Sequence, residues 1–278
     1  MPERPKKPAL VIFTDLDATL LDEDTYSHKK AAPALAACRK AGVPVVLVSS
    51  KTFAEMEPLH AGLSFDSPLV AENGGGIFFP AKLPHAPENC VRHNPSWLRL
   101  DLGTGHQRLV KALCEIQEES NIILEGFSCM DEQRISFLTG LSLSQARLAK
   151  LRLFDEPFLA PGISPNGLAR LKRAAAAKGL MVTGGGRFLH LHGGSDKGRA
   201  VAVLKEWYRK QNPKALFAAA GDSENDIPML KQADFPIFAG RMDKLPKYPA
   251  NLAASEIPGP EGWNREVLSL LEKCGFGG

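Results

Sequence analysis

Short apolar runs alternate with helix-like segments along the N-terminal part of the chain. The runs 10–13, 43–48 and 68–71 carry consecutive apolar side chains, which is typical of parallel strands that are buried on both faces. The segments 29–41 and 52–62, which lie between these runs, have the composition of helices. This strand–helix–strand order predicts a doubly wound parallel sheet.

The alternation stops after residue 81 and returns near residue 188. The intervening chain opens with a stretch rich in Pro, His and Asn at 81–98, and helical patterns follow it. The C-terminal part repeats the strand–helix rhythm of the beginning. We therefore predict an α/β fold with a doubly wound parallel-sheet core formed by residues 1–81 and 188–278. An α+β domain is predicted to be inserted at 82–187.

Composition excludes some classes of function. The 34 basic and 31 acidic residues leave a net charge of only +3, and the basic residues are spread along the chain, so no nucleic-acid partner is expected. No stretch approaches the ~18 apolar residues of a membrane span, and no secretory signal pattern is found. The five cysteines form no CxxC pair, which favours reduced thiols. We expect a cytoplasmic protein without a membrane partner, and its oligomeric state is not predicted.

Two aspartates, Asp15 and Asp17, directly follow the first apolar run. Ligands of open α/β sheets bind at the carboxyl ends of the strands, which is where these acids are expected to lie. One carboxylate could attack phosphorus, while the other protonates the leaving oxygen and then deprotonates water. Two carboxylates this close need a cation, and Mg²⁺ is the usual one beside phosphate. The alternative reading is that both acids only cap local backbone N–H groups.

Three further polar groups stand at predicted strand ends or helix starts. Ser49 and Ser50 end the second strand and could hold phosphate oxygens. Lys197 opens a helix and could balance negative charge, and Asp222 follows a later strand and could complete a metal site. Each pattern alone is also compatible with a helix cap or a solvated side chain. The interpretation therefore depends on all of them occurring together.

In their order along the chain, these groups resemble the four motifs of the haloacid dehalogenase superfamily of phosphatases. The resemblance implies that Asp15 is the nucleophile and that Asp17 is the general acid and base. It also implies that Mg²⁺ is held by Asp15, Asp222 and the carbonyl group of Asp17. One departure is Ala18, where the superfamily usually has glycine. If the backbone there needs a positive φ, the added methyl group has an energetic cost.

The same resemblance assigns supporting roles to four other residues. Ser49 holds the phosphate, and Lys197 neutralises charge beside the nucleophile. Asn225 and Asp226 support the metal ion and Lys197. The predicted insert lies between the second and third motifs, as the larger α+β cap does in the sugar-phosphatase branch of the superfamily.

Segments outside the four motifs resemble one family in particular, the mannosyl-3-phosphoglycerate phosphatases. That family hydrolyses mannosyl-3-phosphoglycerate to mannosylglycerate and phosphate, so a phosphorylated sugar is the implied substrate. The resemblance covers nearly the whole chain. The segments that carry it are FTDLD at 13–17, SSKT at 49–52, ENGG at 72–75, DEPF at 155–158, GGRFLHL at 185–191 and PGPEGWN at 258–264.

Such a substrate carries a phosphate, a carboxylate and a sugar. Arg187 could grip the carboxylate with two hydrogen bonds, unless it is only a surface residue of a turn. Lys51 and Asn73 would face the same cleft from the core. His190 and His192 lie on one face of a strand, and for this pair a role in substrate contact or packing is favoured over metal binding because no third ligand is nearby.

Three other functions stay open at this point. The first is a phosphatase of broader specificity for sugar or polyol phosphates. The second is a phosphomutase, which would return the phosphoryl group to the sugar. The third is a catalytically silent protein that binds sugar phosphates, although such a protein would not need both Asp15 and Asp17.

Overall fold

The computed structural model describes residues 10–185, 187–241, 243 and 252–276. Its strands are β1 (Leu10–Thr14), β2 (Val45–Val48), β3 (Leu69–Ala71), β4 (Gly76–Pro80), β5 (Val91–Asn94), β6 (Trp97–Asp101), β7 (Glu125–Gly126), β8 (Asp155–Leu159), β9 (Met181–Gly185), β10 (Phe188–His192), β11 (Leu216–Gly221), β12 (Phe235–Phe238) and β13 (Ala253–Ala254). Its α-helices are α1 (Ala32–Ala41), α2 (Phe53–Leu63), α3 (His106–Ser120), α4 (Glu132–Thr139), α5 (Leu143–Ala149), α6 (Pro165–Ala177), α7 (Lys197–Gln211), α8 (Ile227–Leu230) and α9 (Gly259–Lys273).

The larger sheet has nine strands in the order β13-β12-β11-β1-β2-β3-β4-β6-β5. All pairings from β13 to β3 are parallel, and the three strands beyond β3 are antiparallel. Side chains of β1 alternate between two apolar clusters. Leu10 and Ile12 pack with α1, α2 and α9 on one face, and Val11 and Phe13 pack with α7 and α8 on the other. This two-sided burial explains the continuous apolar runs and confirms the predicted α/β core.

The smaller sheet is antiparallel, with its four strands in the order β7-β8-β10-β9. Helices α3 and α6 cover it through an apolar cluster that includes Leu109, Phe158 and Leu171. This sheet and helices α3 to α6 form a second, inserted unit, which we call the cap. The segment between β7 and β8 contains α4 and α5, which build a separate small cluster around Ile135.

The strands that form each sheet suggest other limits for the insert than the predicted ones, 82–187. Strands β5 and β6 pair with β4 in the core sheet, whereas β10 lies in the middle of the cap sheet. Trp97 and Leu100 of β6 each join one of the two core clusters, which anchors this strand despite the polar stretch before it. We therefore propose that the cap is the chain between β6 and α7.

No helix in the described ranges has both the length and the apolar character that a membrane span requires.

Candidate active site

Three adjacent parallel strands, β1, β2 and β11, end at the same edge of the core sheet. Asp15 is the first residue after β1, and its N–H donates to the carbonyl of Ala220 in β11 at 2.9 Å. Ser49 follows β2, and Asp222 follows β11. The topology therefore brings together acids and a hydroxyl that are far apart in the sequence, as the strand-end argument predicted.

A buried lysine connects two of these acids. Lys197, the first residue of α7, is 1% exposed, and its Nζ lies 2.6 Å from Oδ1 of Asp15 and 2.6 Å from Oδ1 of Asp226. The other oxygen of Asp226 accepts the N–H groups of Asp222 and Ser223 at 3.0 and 3.1 Å. A buried charge needs such partners, and Asp226 thus holds Lys197 against Asp15.

Carboxylate oxygens of Asp15, Asp222 and Asp226 all lie within 4.8 Å of one another. Burial is the main cause that raises the pKa of Asp15 to about 8 and that of Asp222 to about 6. When all three carboxylates are ionised, they and the one ammonium group of Lys197 carry a formal charge of −2. Oxygen ligands and this charge fit a divalent cation.

Asp17 does not join the acidic cluster with its side chain. Its Oδ2 lies 3.1 Å from Nζ of Lys51, and that ammonium group lies 5.1 Å from the centre of the Tyr26 ring. Ala18 has a φ of +54°, in the left-handed region that favours glycine. The methyl group of Ala18 therefore makes this backbone conformation less favourable than it would be for glycine, which is the energetic cost expected from the sequence.

The serines and Asn73 form the wall beside Asp15. Ser49 is buried, and its Oγ accepts the N–H of Lys51 at 3.2 Å. Asn73 donates its N–H to the carbonyl of Ser49 at 2.9 Å, and its side-chain oxygen lies 3.5 Å from the amide nitrogen of Asn225. Ser50, Asn73 and Asn225 also line the large cleft described next.

A cleft of about 1320 Å³ separates this site from the cap. Lys197 and Asn73 line it on the core side, and Lys172, Thr183 and His190 line it on the cap side. This volume is ample for a phosphorylated disaccharide-sized ligand.

Arg187, the predicted carboxylate-binding residue, is exposed in the turn between β9 and β10. It is absent from the described lining of the cleft. No hydrogen bond or ion pair within the described ranges joins Arg187 to the other predicted site residues, and its role stays a prediction.

Glu72 joins core and cap in a way that the sequence did not reveal. It is only 2% exposed, and its carboxylate accepts the backbone N–H of Leu153 and that of Phe154 at 2.8–3.1 Å. Burial is the main cause that raises the pKa of Glu72 to about 7. Glu72 belongs to the ENGG segment that the sequence analysis singled out. Its hydrogen-bond partners are backbone N–H groups of the cap, and a pattern of side chains in the sequence cannot identify such partners.

Arg152 makes the second bridge between the two units. Its Nη1 donates to the carbonyl of Ser50 at 3.0 Å and to Oδ2 of Asp155 at 3.1 Å. Asp155 in turn accepts from Nδ1 of His190 at 2.7 Å. A continuous set of polar contacts thus runs from the loop after β2 in the core to the cap wall of the cleft. The DEPF segment marked Asp155, whereas nothing in the sequence pattern marked Arg152.

Comparison with known proteins identifies relatives along nearly the whole chain. Residues 12–86 match the haloacid dehalogenase-like hydrolase family. The chain is 37% identical over 268 residues to a glucosyl-3-phosphoglycerate/mannosyl-3-phosphoglycerate phosphatase from Methanococcoides burtonii, covering 95% of this chain and 97% of that protein. It is 34% identical over 231 residues to a mannosyl-3-phosphoglycerate phosphatase from Pyrococcus furiosus, covering 83% of this chain and 90% of that protein.

Solved structures agree on the fold. A haloacid dehalogenase-like hydrolase from Bacteroides thetaiotaomicron superimposes with a TM-score of 0.64 at 17% identity, covering 95% of this chain and all of that one. Hydrolases of this kind generally use a divalent metal, which the acidic cluster fits. The protein is thus a phosphoric monoester hydrolase, and the chain belongs to the mannosyl-3-phosphoglycerate phosphatase family of haloacid dehalogenase-like hydrolases.

Proposed function

We propose that the protein is a Mg²⁺-dependent phosphatase that hydrolyses mannosyl-3-phosphoglycerate to mannosylglycerate and phosphate through an aspartyl-phosphate on Asp15. The observation that carries the proposal is the buried contact between Lys197 and Asp15 at the end of β1, inside a cluster of acids. The activities for which the two relatives are named support the choice of substrate. The cleft has room for a phosphate, a carboxylate and a sugar.

The proposed reaction starts with Asp15. Lys197 holds its Oδ1, and no hydrogen bond of Oδ2 to the described residues is seen, so this second oxygen is free to attack phosphorus in line. Asp17 donates a proton to the departing alkoxide oxygen, and Ser49 and Lys197 bind oxygens of the phosphoryl group. Asp15, Asp222 and the carbonyl group of Asp17 would hold Mg²⁺, which would supply positive charge to the phosphoryl oxygens. Asn225 and Asp226 support this arrangement.

The second half of the reaction restores the enzyme. Asp17, now ionised, accepts a proton from water, and that water attacks the phosphorus of the aspartyl-phosphate. The bond between phosphorus and the Asp15 oxygen breaks, so that phosphate leaves and Asp15 returns as a carboxylate. Catalysis depends mostly on positioning and on electrostatic stabilisation of the phosphoryl oxygens.

Phosphate release tests the proposal. The substrates are mannosyl-3-phosphoglycerate, glucosyl-3-phosphoglycerate and common hexose phosphates, each with Mg²⁺ and with EDTA. We expect the phosphoglycerate esters to react with the higher kcat/KM, and we expect EDTA and Asp15→Asn to abolish turnover. Asp24→Asn, which changes an exposed acid in the loop after Asp17, is the matched control and keeps wild-type rates.

Other outcomes point elsewhere. Equal rates on hexose phosphates would reject the narrow substrate assignment and leave a broader sugar phosphatase. Isomerised sugar phosphate without released phosphate would indicate a phosphomutase. Binding without any turnover would indicate a silent binding protein.

A further inference from the structure

Two histidines on the same face of β10 differ in their hydrogen bonding. Both ring nitrogens of His192 have partners, since Nδ1 accepts the N–H of Gly194 at 3.2 Å and Nε2 lies 3.3 Å from Oγ1 of Thr183. His190 uses Nδ1 only, in the 2.7 Å contact with Asp155. Among the described residues its Nε2 has no hydrogen-bond partner, although the side chain lines the cleft. His190 therefore offers one unused polar atom to a ligand.

The contacts behind His190 fix the orientation of its ring. Asp155 is 3% exposed, and it contacts both His190 and Arg152. Burial alone would raise the pKa of Asp155, but the positive charges of His190 and Arg152 outweigh burial and lower this pKa. An ionised Asp155 is an acceptor only, so Nδ1 of His190 carries a proton. The ring cannot turn over without losing this contact, which leaves Nε2 towards the cleft.

The cap wall around His190 suits an anionic group. In its protonated form the imidazole presents an N–H donor at Nε2. Lys172 of α6 lines the same cleft, is exposed, and has no ion pair with any described residue. Arg152 and Asp155 offset each other, which leaves Lys172 and the protonated His190 as the positive groups of this wall, while the carboxylate of Asp196 also lines the cleft. The opposite wall holds Lys197 beside Asp15, where the phosphate is bound.

We propose that Nε2 of the His190 imidazolium, protonated at both nitrogens, donates a hydrogen bond to the carboxylate of the substrate's glycerate part, with Asp155 and Arg152 positioning the ring. The inference rests on the proposed function, because it takes the phosphate of the same ester to be held at Asp15. It makes His190 the residue that recognises the acid in the substrate, with Lys172 adding charge nearby. This assignment differs from the sequence-based expectation for Arg187, which lies outside the described lining.

Two isosteric variants separate substrate contact from a purely structural role. The amide of His190→Asn reaches the position of Nδ1 and keeps the bond to Asp155, but it places nothing at the position of Nε2. The longer side chain of His190→Gln carries an amide N–H to the Nε2 position. Both variants are assayed on mannosyl-3-phosphoglycerate and on an analogue in which the carboxylate is reduced to an alcohol.

We expect His190→Asn to lower kcat/KM on the phosphoglycerate ester by about 10- to 100-fold, mainly through KM, as is typical of a lost hydrogen bond to a charged group. On the reduced analogue it should differ from wild type by less than about threefold. His190→Gln should retain most of the wild-type preference for the carboxylate. Lys172→Met, at an exposed position, should reduce the same preference without affecting folding.

His192→Asn is the matched control, because His192 lies on the same strand face but has both nitrogens occupied. It should leave the carboxylate preference unchanged, and melting temperatures are recorded for every variant. Equal losses on both substrates, or a larger loss in His190→Gln than in His190→Asn, would overturn the inference. If the wild type releases no phosphate from the ester, the proposed function fails and the inference fails with it. If the wild type is active and the His190 variants match it, only the inference fails.

Discussion

Asp15 and Asp17 pair with different lysines although one residue separates them. Asp15 contacts Lys197 in the buried cluster, whereas Asp17 contacts Lys51 outside that cluster. The Lys51 ammonium group lies between the Asp17 carboxylate and the Tyr26 ring, which limits where this carboxylate can point. We therefore propose that Lys51 positions Asp17, the proposed acid and base, in addition to the substrate contact predicted for it.

Replacing Lys51 tests this role. We predict that Lys51→Met lowers kcat by about tenfold, because a general acid that is no longer held in position loses part of its 10²–10⁴-fold contribution. KM should change less than kcat. The matched control is Lys82→Met, which removes an exposed lysine paired with Asp66 at the surface. An unchanged kcat with a raised KM would contradict this account and favour substrate binding as the only role of Lys51.

At the level of elements, the turn after β3 connects the core to the cap. Glu72 has a φ of +52° and Asn73 a φ of +53°, so the backbone adopts the left-handed conformation at two consecutive residues. Gly74 must lack a side chain, because a Cβ there would lie 2.3 Å from the carbonyl oxygen of Asp196. This close approach sets the turn against the start of α7. Glu72 is thereby directed at the backbone of the cap.

We predict that Glu72→Gln destabilises the contact between core and cap. The amide nitrogen cannot accept a hydrogen bond, so an N–H of Leu153 or Phe154 loses its partner at a cost of about 1–3 kcal/mol. Amide hydrogen exchange at these two residues should become faster, and the melting temperature should fall by several degrees. Glu118→Gln, an exposed change on α3, is the control. Unchanged exchange at both amides would show that Glu72 does not hold the cap.

The sequence predicted those parts of the fold that depend on local pattern. Apolar runs located the strands, and strand ends in a parallel sheet must meet, so the grouping of Asp15, Ser49 and Asp222 followed. Lys197 opens a helix, and its place beside Asp15 was implied only by the resemblance to the superfamily. Pairing between distant segments was not predictable in this way. The strand Trp97–Asp101 follows a polar stretch and is held by its neighbour in the sheet. In the sequence, Arg152 has the character of an exposed residue at a helix end. In the folded chain, its side chain donates to the carbonyl of Ser50, a contact between distant segments.

At the scale of the whole molecule, two sheets enclose one cleft, and the charges are unequally placed on its walls. Behind the core wall lies the acidic cluster of Asp15, Asp222 and Asp226, which the lining residue Lys197 contacts. The cap wall carries Lys172 and His190. A divalent cation at the cluster would make the core wall attractive to a phosphate, and the cap wall would then bind a second anionic group on the same ligand.

The buried acids also predict how stability depends on pH. Without a divalent cation, folded Asp15 keeps its proton to about pH 8, whereas the unfolded chain releases it near pH 3.8. Between these values the folded state binds more protons, so the free energy of unfolding decreases as pH rises. Asp222, with its pKa raised to about 6, acts in the same direction. In EDTA the melting temperature should therefore fall as the pH is raised from about 5 to about 8.

Saturating Mg²⁺ should raise the melting temperature at about pH 8 and reduce this slope, since ligand binding stabilises the folded state in which the acids are ionised. Asp15→Asn is the control, because it removes the largest of these proton-linked changes and should give a flatter profile in EDTA. A wild-type profile in EDTA that rises with pH, or that Mg²⁺ leaves unchanged, would contradict the cation site.

The central claim is that the phosphoryl group passes through Asp15, and trapping the intermediate tests it most directly. Excess enzyme with Mg²⁺ is mixed with mannosyl-3-phosphoglycerate, quenched in acid within the first turnover, digested and examined by mass spectrometry. We predict one added phosphoryl group on the peptide that contains Asp15, appearing before free phosphate and absent in Asp15→Asn. Release of phosphate without any labelled peptide, or with the label on another residue, would contradict the account.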